Sequence, residues 1–159
     1  MKPDIRWITP LYGFDLDCNH IGVPENARAQ LQEMSDEMVG ERGLVAIYVP
    51  EGTADVYEAG GMRGRVVGAV QLVKMPRGKR MEDYFYPDWD GTLRWPIGWP
   101  CKVIYAPETE DCPSLREHVE HVHGPGSFGG YVGRFQQGPF RLEGAMRERL
   151  NRDFAEFED

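Results

Sequence analysis

Apolar positions along the chain fall into short β-like runs separated by polar stretches, with three helical periods between them. Ile5-Arg-Trp-Ile-Thr alternates, puts Ile5, Trp7 and Thr9 on one face, and predicts a short first strand. Residues 10–23, rich in Gly, Asp, Asn and Pro, read as loop. From Pro24 to Val39 the apolar residues Ala27, Leu31, Met34 and Met38 recur at helical spacing, with Pro24 and Glu25 suited to the first turn. Gly40 or Gly43 ends that helix. Gly43-Leu-Val-Ala-Ile-Tyr-Val predicts a buried strand, and Arg65-Val-Val-Gly-Ala-Val-Gln-Leu-Val a second one. Gly68 inside the latter marks a bulge or a close approach by another group. Residues 75–98 keep no period and read as a long loop with a short strand at Leu93–Trp95. Cys101–Ala106 predicts a strand, Pro113–His121 a helix begun at Asp111 or Cys112, and Gly124–Gly130 a flexible loop. Tyr131-Val-Gly-Arg-Phe reads as a further strand, and Arg141–Phe157 as a terminal helix with Leu142, Ala145, Met146 and Leu150 on one face. Strands without regular strand–helix alternation predict an α+β fold, with a small mixed sheet or barrel.

Composition bounds this picture. A length of 159 residues sets the expectation of one domain spanning 1–159. The 41% hydrophobic and 11% aromatic content argues against wholesale disorder. No apolar run approaches the roughly 20 residues of a membrane span, so no membrane partner is expected. The start Met1-Lys-Pro-Asp-Ile-Arg-Trp lacks the apolar core of a signal peptide. Cys18, Cys101 and Cys112 are odd in number and widely spaced, and with no Asn-x-Ser/Thr acceptor they point to a reducing, cytoplasmic location.

Charge changes the picture more. The net charge of −8 divides into −7 over residues 1–60, +4 over 61–103 and −5 over 104–159. The middle holds Arg63, Arg65, Lys74, Arg77, Lys79, Arg80, Arg94 and Lys102, a local basic island of the kind that contacts phosphates. Trp89, Trp95 and Trp99, beside Tyr84, Phe85 and Tyr86, lie in or next to it. Aromatics interleaved with cations suit stacking on nucleobases. Trp99, entering a strand, is also placed to pack in the core, whereas Trp89 and Trp95 have polar neighbours that suit a pocket rim.

Other motifs lack their frames. Gly124-Pro-Gly-Ser-Phe-Gly matches G-x-G-x-x-G but follows a helix and precedes a strand, the reverse of a dinucleotide site. Ser127 has Pro125 where a nucleophile elbow needs glycine. The glycines around Ser127 still let backbone N–H groups face a ligand. His118, His121 and His123 with Cys112 have no metal-binding frame, and solvated histidines on an acidic helix are expected instead. Asp88 with Asp90, Glu117 with Glu120, and His20 with Asp17 are acid–base candidates without a recognisable arrangement. No cofactor is implied.

Three stretches carry a resemblance: Ile21-Gly-Val-Pro-Glu-Asn-Ala-Arg-Ala-Gln-Leu-Gln-Glu-Met, Gly43-Leu-Val-Ala-Ile-Tyr-Val and Gly64-Arg-Val-Val-Gly-Ala-Val-Gln-Leu-Val. With the Trp-bearing Ile5-Arg-Trp-Ile they resemble the EVE domain of the PUA-like superfamily, which also holds YTH, ASCH and SRA-type modules. Asp90-Gly-Thr-Leu-Arg-Trp-Pro-Ile-Gly-Trp-Pro-Cys-Lys-Val is similar to the YTH stretch in which a loop aromatic precedes a Trp-containing strand. This chain has Ile21 where EVE sequences usually have Trp, and its Asn26 is displaced by about one residue from the family's position.

The resemblance implies a PUA-like open β-barrel of five to six strands with flanking helices, and a modified, methylated base of DNA or RNA held in an aromatic cage. Trp7, Tyr12 or Phe14 would supply one side, Tyr86, Trp89 or Trp95 the other, and Asn19 or Asn26 would read the base edge. Trp99 and Ser127 complete the candidate base-binding set. Arg63, Arg65, Lys74, Arg77, Lys79, Arg80 and Arg94 are the candidate phosphate contacts. The rival reading is an ASCH-like ribonuclease in which Lys102, Arg94 and Tyr105 stabilise charge at phosphorus.

Overall fold

Chain pairing around one mixed sheet organises the molecule, as seen in a computed structural model that describes residues 3–40 and 43–157. The strands are β1 (Ile5–Pro10), β2 (His20–Val23), β3 (Leu44–Tyr48), β4 (Val66–Leu72), β5 (Ile97–Tyr105) and β6 (Phe140–Arg141). Helix α1 (Arg28–Met38) lies between β2 and β3; α2 (Leu115–His123), α3 (Phe128–Val132) and α4 (Gly144–Ala155) follow β5. The sheet order is β2-β5-β4-β3-β1-β6, with β1 and β3 parallel and the other pairs antiparallel. This is an α+β architecture. Among the described residues the sheet is open, with β2 and β6 at its edges.

Both faces of the sheet are covered, which is why β3 is buried at every position. Its side chains alternate between two cores. Val45 and Ile47 join Leu31, Met34 and Met38 of α1, while Leu44, Ala46 and Tyr48 join Leu115, Val119, Leu150 and Phe154 of α2 and α4. The helical period of α1 thus buries the residues that its sequence marks.

Bulges in β1 and β4 shift this alternation. Ile5 pairs with Leu44 and Trp7 with Val45, so Arg6 is an extra residue. Ile5 therefore faces the second core and Trp7 the first, not one shared face. In β4, Gly68 pairs with Ile47 and Val66 with Tyr48, leaving Val67 as the extra residue. Gly68 is also a close approach: a Cβ there would stand 2.6 Å from the Phe14 ring and 2.7 Å from the Tyr105 carbonyl oxygen. Both expectations for this glycine hold.

The remaining differences from the sequence reading have local causes. β2 lies in the stretch read as loop, because only Ile21-Gly-Val precedes Pro24. β5 starts at Ile97, before the predicted Cys101; Pro100 hides it, sitting where pairing to β4 has ended at Leu72–Cys101. Residues 131–135 are not a strand. Phe128, Tyr131, Val132 and Phe135 follow a helical spacing, and the segment forms α3 and a 3₁₀ turn at Gly133–Gln137 against the second core. Arg141 belongs to β6, so the last helix begins only at Gly144. The N-cap of α2 is Ser114, whose hydroxyl accepts from the Glu117 N–H at 3.3 Å. No helix of the described residues is long and apolar enough to cross a membrane.

Gly22 and Gly98 pair across β2 and β5 and leave a strip of sheet without side chains. The segment after Met81–Asp83 lies on that strip. A Cβ on Gly98 would stand 2.1 Å from the carbonyl oxygens of both Ile21 and Tyr84, and one on Gly22 would stand 2.7 Å from the Tyr86 ring. Gly98→Ala is expected to destabilise the fold by about 1–3 kcal/mol through overpacking against backbone that cannot rotate away. Gly130→Ala, in α3 with open space around it, is expected to raise stability by about 0.5–1 kcal/mol. Urea midpoints compared at constant slope check both.

Candidate functional site

The chain between Tyr86 and Trp95 is an irregular hairpin. The Tyr86 N–H donates to the Trp95 carbonyl at 2.9 Å, and the Asp88 N–H to that of Thr92 at 2.8 Å. Its tip is the turn Asp88-Trp-Asp-Gly, closed by Gly91 N–H to Asp88 O at 2.9 Å with Gly91 at φ +82°. Trp89 sits at this tip and is 68% exposed.

Asp88 anchors the hairpin. Its side chain has 0% exposure, and Oδ2 is ion-paired with Arg94 Nε. Oδ1 accepts from the Tyr57 hydroxyl at 2.9 Å and the Trp89 N–H at 2.8 Å. Arg94 also reaches Asp90 at 3.6 Å. A buried carboxylate with these partners stays in place because loss of any one leaves charge uncompensated. It thereby ties the 3₁₀ turn at Asp55–Tyr57 to the hairpin and brings Tyr57 to the site. Burial, together with the hydrogen bond to Asp88, raises the Tyr57 phenol above its ordinary value.

A cavity of about 450 Å³ opens beside this hairpin, between it and the loop 11–19. That volume lies in the ordinary range for small-molecule sites. Two aromatic groups wall it. Tyr12 stacks on Tyr57 at 4.9 Å and tilts against Trp95 at 5.1 Å, and Tyr57 meets Trp95 edge-on at 6.0 Å. On the other wall His20 stacks on Tyr86 at 4.0 Å. The Tyr86 hydroxyl donates to the His20 carbonyl at 2.7 Å. His20 Nδ1 lies 2.6 Å from Asn19 Oδ1 and its Nε2 3.1 Å from the Phe85 carbonyl. Trp89 stands at the rim, and Phe14, Asp15, Asp17, Cys18 and Asn19 complete the lining.

Of the candidate base-binding residues, Tyr12, Phe14, Asn19, Tyr86, Trp89 and Trp95 converge on this cavity. The others lie elsewhere. Trp7 is 2% exposed in the first core, with Arg141 over its ring at 5.1 Å. Trp99 packs against the same core and donates its indole N–H to the Val73 carbonyl at 2.8 Å. Asn26 donates to the Gln136 carbonyl at 3.0 Å, tying the start of α1 to the 3₁₀ turn at Gly133–Gln137. The Ser127 hydroxyl donates to the Gly124 carbonyl at 2.6 Å at the end of α2. These four are structural: their side chains satisfy local backbone or fill core.

The basic island divides likewise. Arg63 is held by the Thr53 and Gly60 carbonyls and by Asp55 at 2.7–3.1 Å, and Arg65 by the Cys112 carbonyl at 2.8 Å. Arg94 is committed to Asp88. Lys74, Arg77, Lys79 and Arg80 are exposed around the turn after β4, and the first three have no ion pair among the described residues. Lys102, Arg94 and Tyr105 do not converge: Tyr105 meets Phe154 edge-on in the second core, and Lys102 alternates away from Cys101 and Val103.

The histidine run is not uniformly solvated. His118 is buried between α2 and α4, paired through Nε2 with Asp153, while Nδ1 accepts from Arg149 Nε at 2.8 Å. His121 and His123 are exposed. Among the described residues no group of three or more His, Cys, Asp or Glu gathers for a metal. Tyr57 and His20 are the wall residues that the base-binding set lacked. Tyr57 lies in a polar loop whose approach is set by Asp88, and no local pattern marks it.

The chain matches no family model, and no curated protein or solved structure is significantly similar to it. Fold and site define an α+β protein with an open mixed sheet and an aromatic-walled cavity at the β2–β5 edge.

One lining group is chemically distinct. Cys18 Sγ lies 3.1 Å from the His20 carbonyl oxygen and 3.5 Å from the Tyr86 hydroxyl. The neighbouring Cys101 thiol, against the opposing effect of burial, holds the Cys18 thiol below its ordinary value. Cys101 is correspondingly raised, and burial pushes Cys112 up to about 11. Because the thiolate is the nucleophile, alkylation of Cys18 should level off at a lower pH than that of an ordinary thiol. Peptide mapping after iodoacetamide treatment near neutral pH should find Cys18 labelled ahead of Cys101 and Cys112. A midpoint near the ordinary thiol value of about 8.5 is the contrary result.

Proposed function

We propose that the chain is a non-enzymatic binding module that takes a modified, methylated nucleobase of DNA or RNA into the aromatic cavity, with the architecture of a PUA-like, EVE-type domain. The observation that carries this reading is the arrangement of the two walls. Rings only 4.0–6.0 Å apart leave no slot within either group. A flat ligand therefore lies between the Tyr12–Tyr57–Trp95 group and the His20–Tyr86 stack, contacting π faces on both sides.

A base flipped from its strand has the required shape, and its unpaired edge needs a donor and an acceptor. The Asn19 amide, at the cavity lining, supplies both types of group. Exposed Trp89 at the rim offers a further stacking surface for the entering base or its neighbour. A methyl group adds only about 0.8 kcal/mol when fully buried, so selectivity comes from the void or misplaced polar group left when it is absent. Lys74, Arg77, Lys79 and Arg80 remain available for phosphates, a smaller patch than the charge count alone suggests.

Stacking contributes roughly 1–3 kcal/mol per base, so Trp89→Ala or Tyr12→Ala is expected to weaken oligonucleotide binding roughly 5- to 150-fold. Both residues are exposed, and melting temperatures should stay close to the parent value. Fluorescence titrations with single-stranded oligonucleotides, with and without one methylated base, make the measurement. Equal affinity for modified and plain strands argues against the specificity; wild-type affinity in both variants argues against the site.

A further inference from the structure

The charge around the cavity narrows the ligand beyond a methylated base. We propose that the preferred base carries a fixed positive charge, as N1-methyladenine and N7-methylguanine do; this rests on the base-binding reading above and specifies its chemistry.

Three observations support it. Tyr12, Tyr57, Trp95 and Tyr86 line the cavity, and the faces of such rings carry negative quadrupole charge that attracts a cation. Asp15 and Asp17 are the carboxylates of the lining, and among the described residues no Lys or Arg joins them. Asp17 is exposed, and its backbone N–H is held by Asp15 Oδ1 at 3.0 Å, so the two carboxylates share one rim.

The nearby arginine does not cancel this field. Arg94 is committed to Asp88 and Asp90. A neutral methylated base gains stacking alone. A cationic one gains stacking, attraction to the ring faces and attraction to the carboxylates, while the same carboxylates turn the phosphate backbone away from this rim.

The test uses the full chain and five probes: single-stranded oligonucleotides with one N1-methyladenine, one N6-methyladenine or plain adenine at the same position, free N1-methyladenosine, and a trimethyl-lysine peptide. The N1-methyl strand is expected to bind about 2- to 30-fold more tightly than its N6-methyl isomer, the span of cation–π effects. In the double variant Asp15→Asn, Asp17→Asn that preference should shrink while N6-methyl affinity holds. Tight binding of the free nucleoside would support the charge preference and identify a nucleoside as sufficient ligand. Equal or tighter binding of the N6-methyl strand overturns the charge preference and leaves the base-binding reading standing. Binding of the peptide with no binding of any base overturns both.

Discussion

The contact that the rest of the site depends on is the pairing of two glycines, Gly22 and Gly98, across β2 and β5. Side chains on that strip would keep the following segment off the sheet. Without them, the Tyr84 carbonyl and the Tyr86 ring lie directly on the backbone, at distances that any Cβ would violate. Tyr86 then stacks on His20 of β2, and its pairing with Trp95 turns the chain back toward β5. The cavity is thus lined by two aromatic groups brought together by one close backbone approach.

Electrostatics completes what packing begins. Asp88 is a buried carboxylate in a surface hairpin, a position that is costly unless its charge is met. Arg94, the Tyr57 hydroxyl and the Trp89 amide meet it. The same cluster positions Tyr57 in one wall and Trp89 at the rim. Removing these partners from solvent-facing duty also changes the apparent basic island, since Arg63, Arg65 and Arg94 satisfy local oxygens while Lys102 and the turn around Lys74–Arg80 stay exposed.

Much of the layout was legible where burial follows a regular period. The helix over Leu31, Met34 and Met38, the strands around Val45–Ile47 and Val66–Leu72, and the special status of Gly68 are properties of local pattern, and the structure agrees with each. Legibility failed where long-range contacts override short segments. β2 is four residues long, β5 begins beside a proline, and α3 takes its helical form from Phe128, Tyr131 and Phe135 packing on the second core. One bulge at Arg6 was enough to send Ile5 and Trp7 to opposite faces.

For the site, residue type marked Trp89 and Trp95 with Tyr86 nearby, because aromatics flanked by polar residues are poor core material, while Tyr12, Phe14 and Asn19 entered through the family resemblance. The two routes also selected Trp7, Trp99, Asn26 and Ser127, whose surroundings are set by which face, carbonyl or core they reach. Tyr57 carried no local signal, and His20 stood out only beside Asp17 as an acid–base candidate. By itself the sequence determined the α+β class, the main helix, the central strands and an aromatic-rich middle segment, since periodicity and composition are local. Only the tertiary structure decided which rings share a cavity, which cations remain free and that Asp15 and Asp17 border the site. Those outcomes depend on contacts between segments 31 to 83 residues apart, such as Tyr57 with Asp88, Tyr86 with His20 and Tyr12 with Trp95.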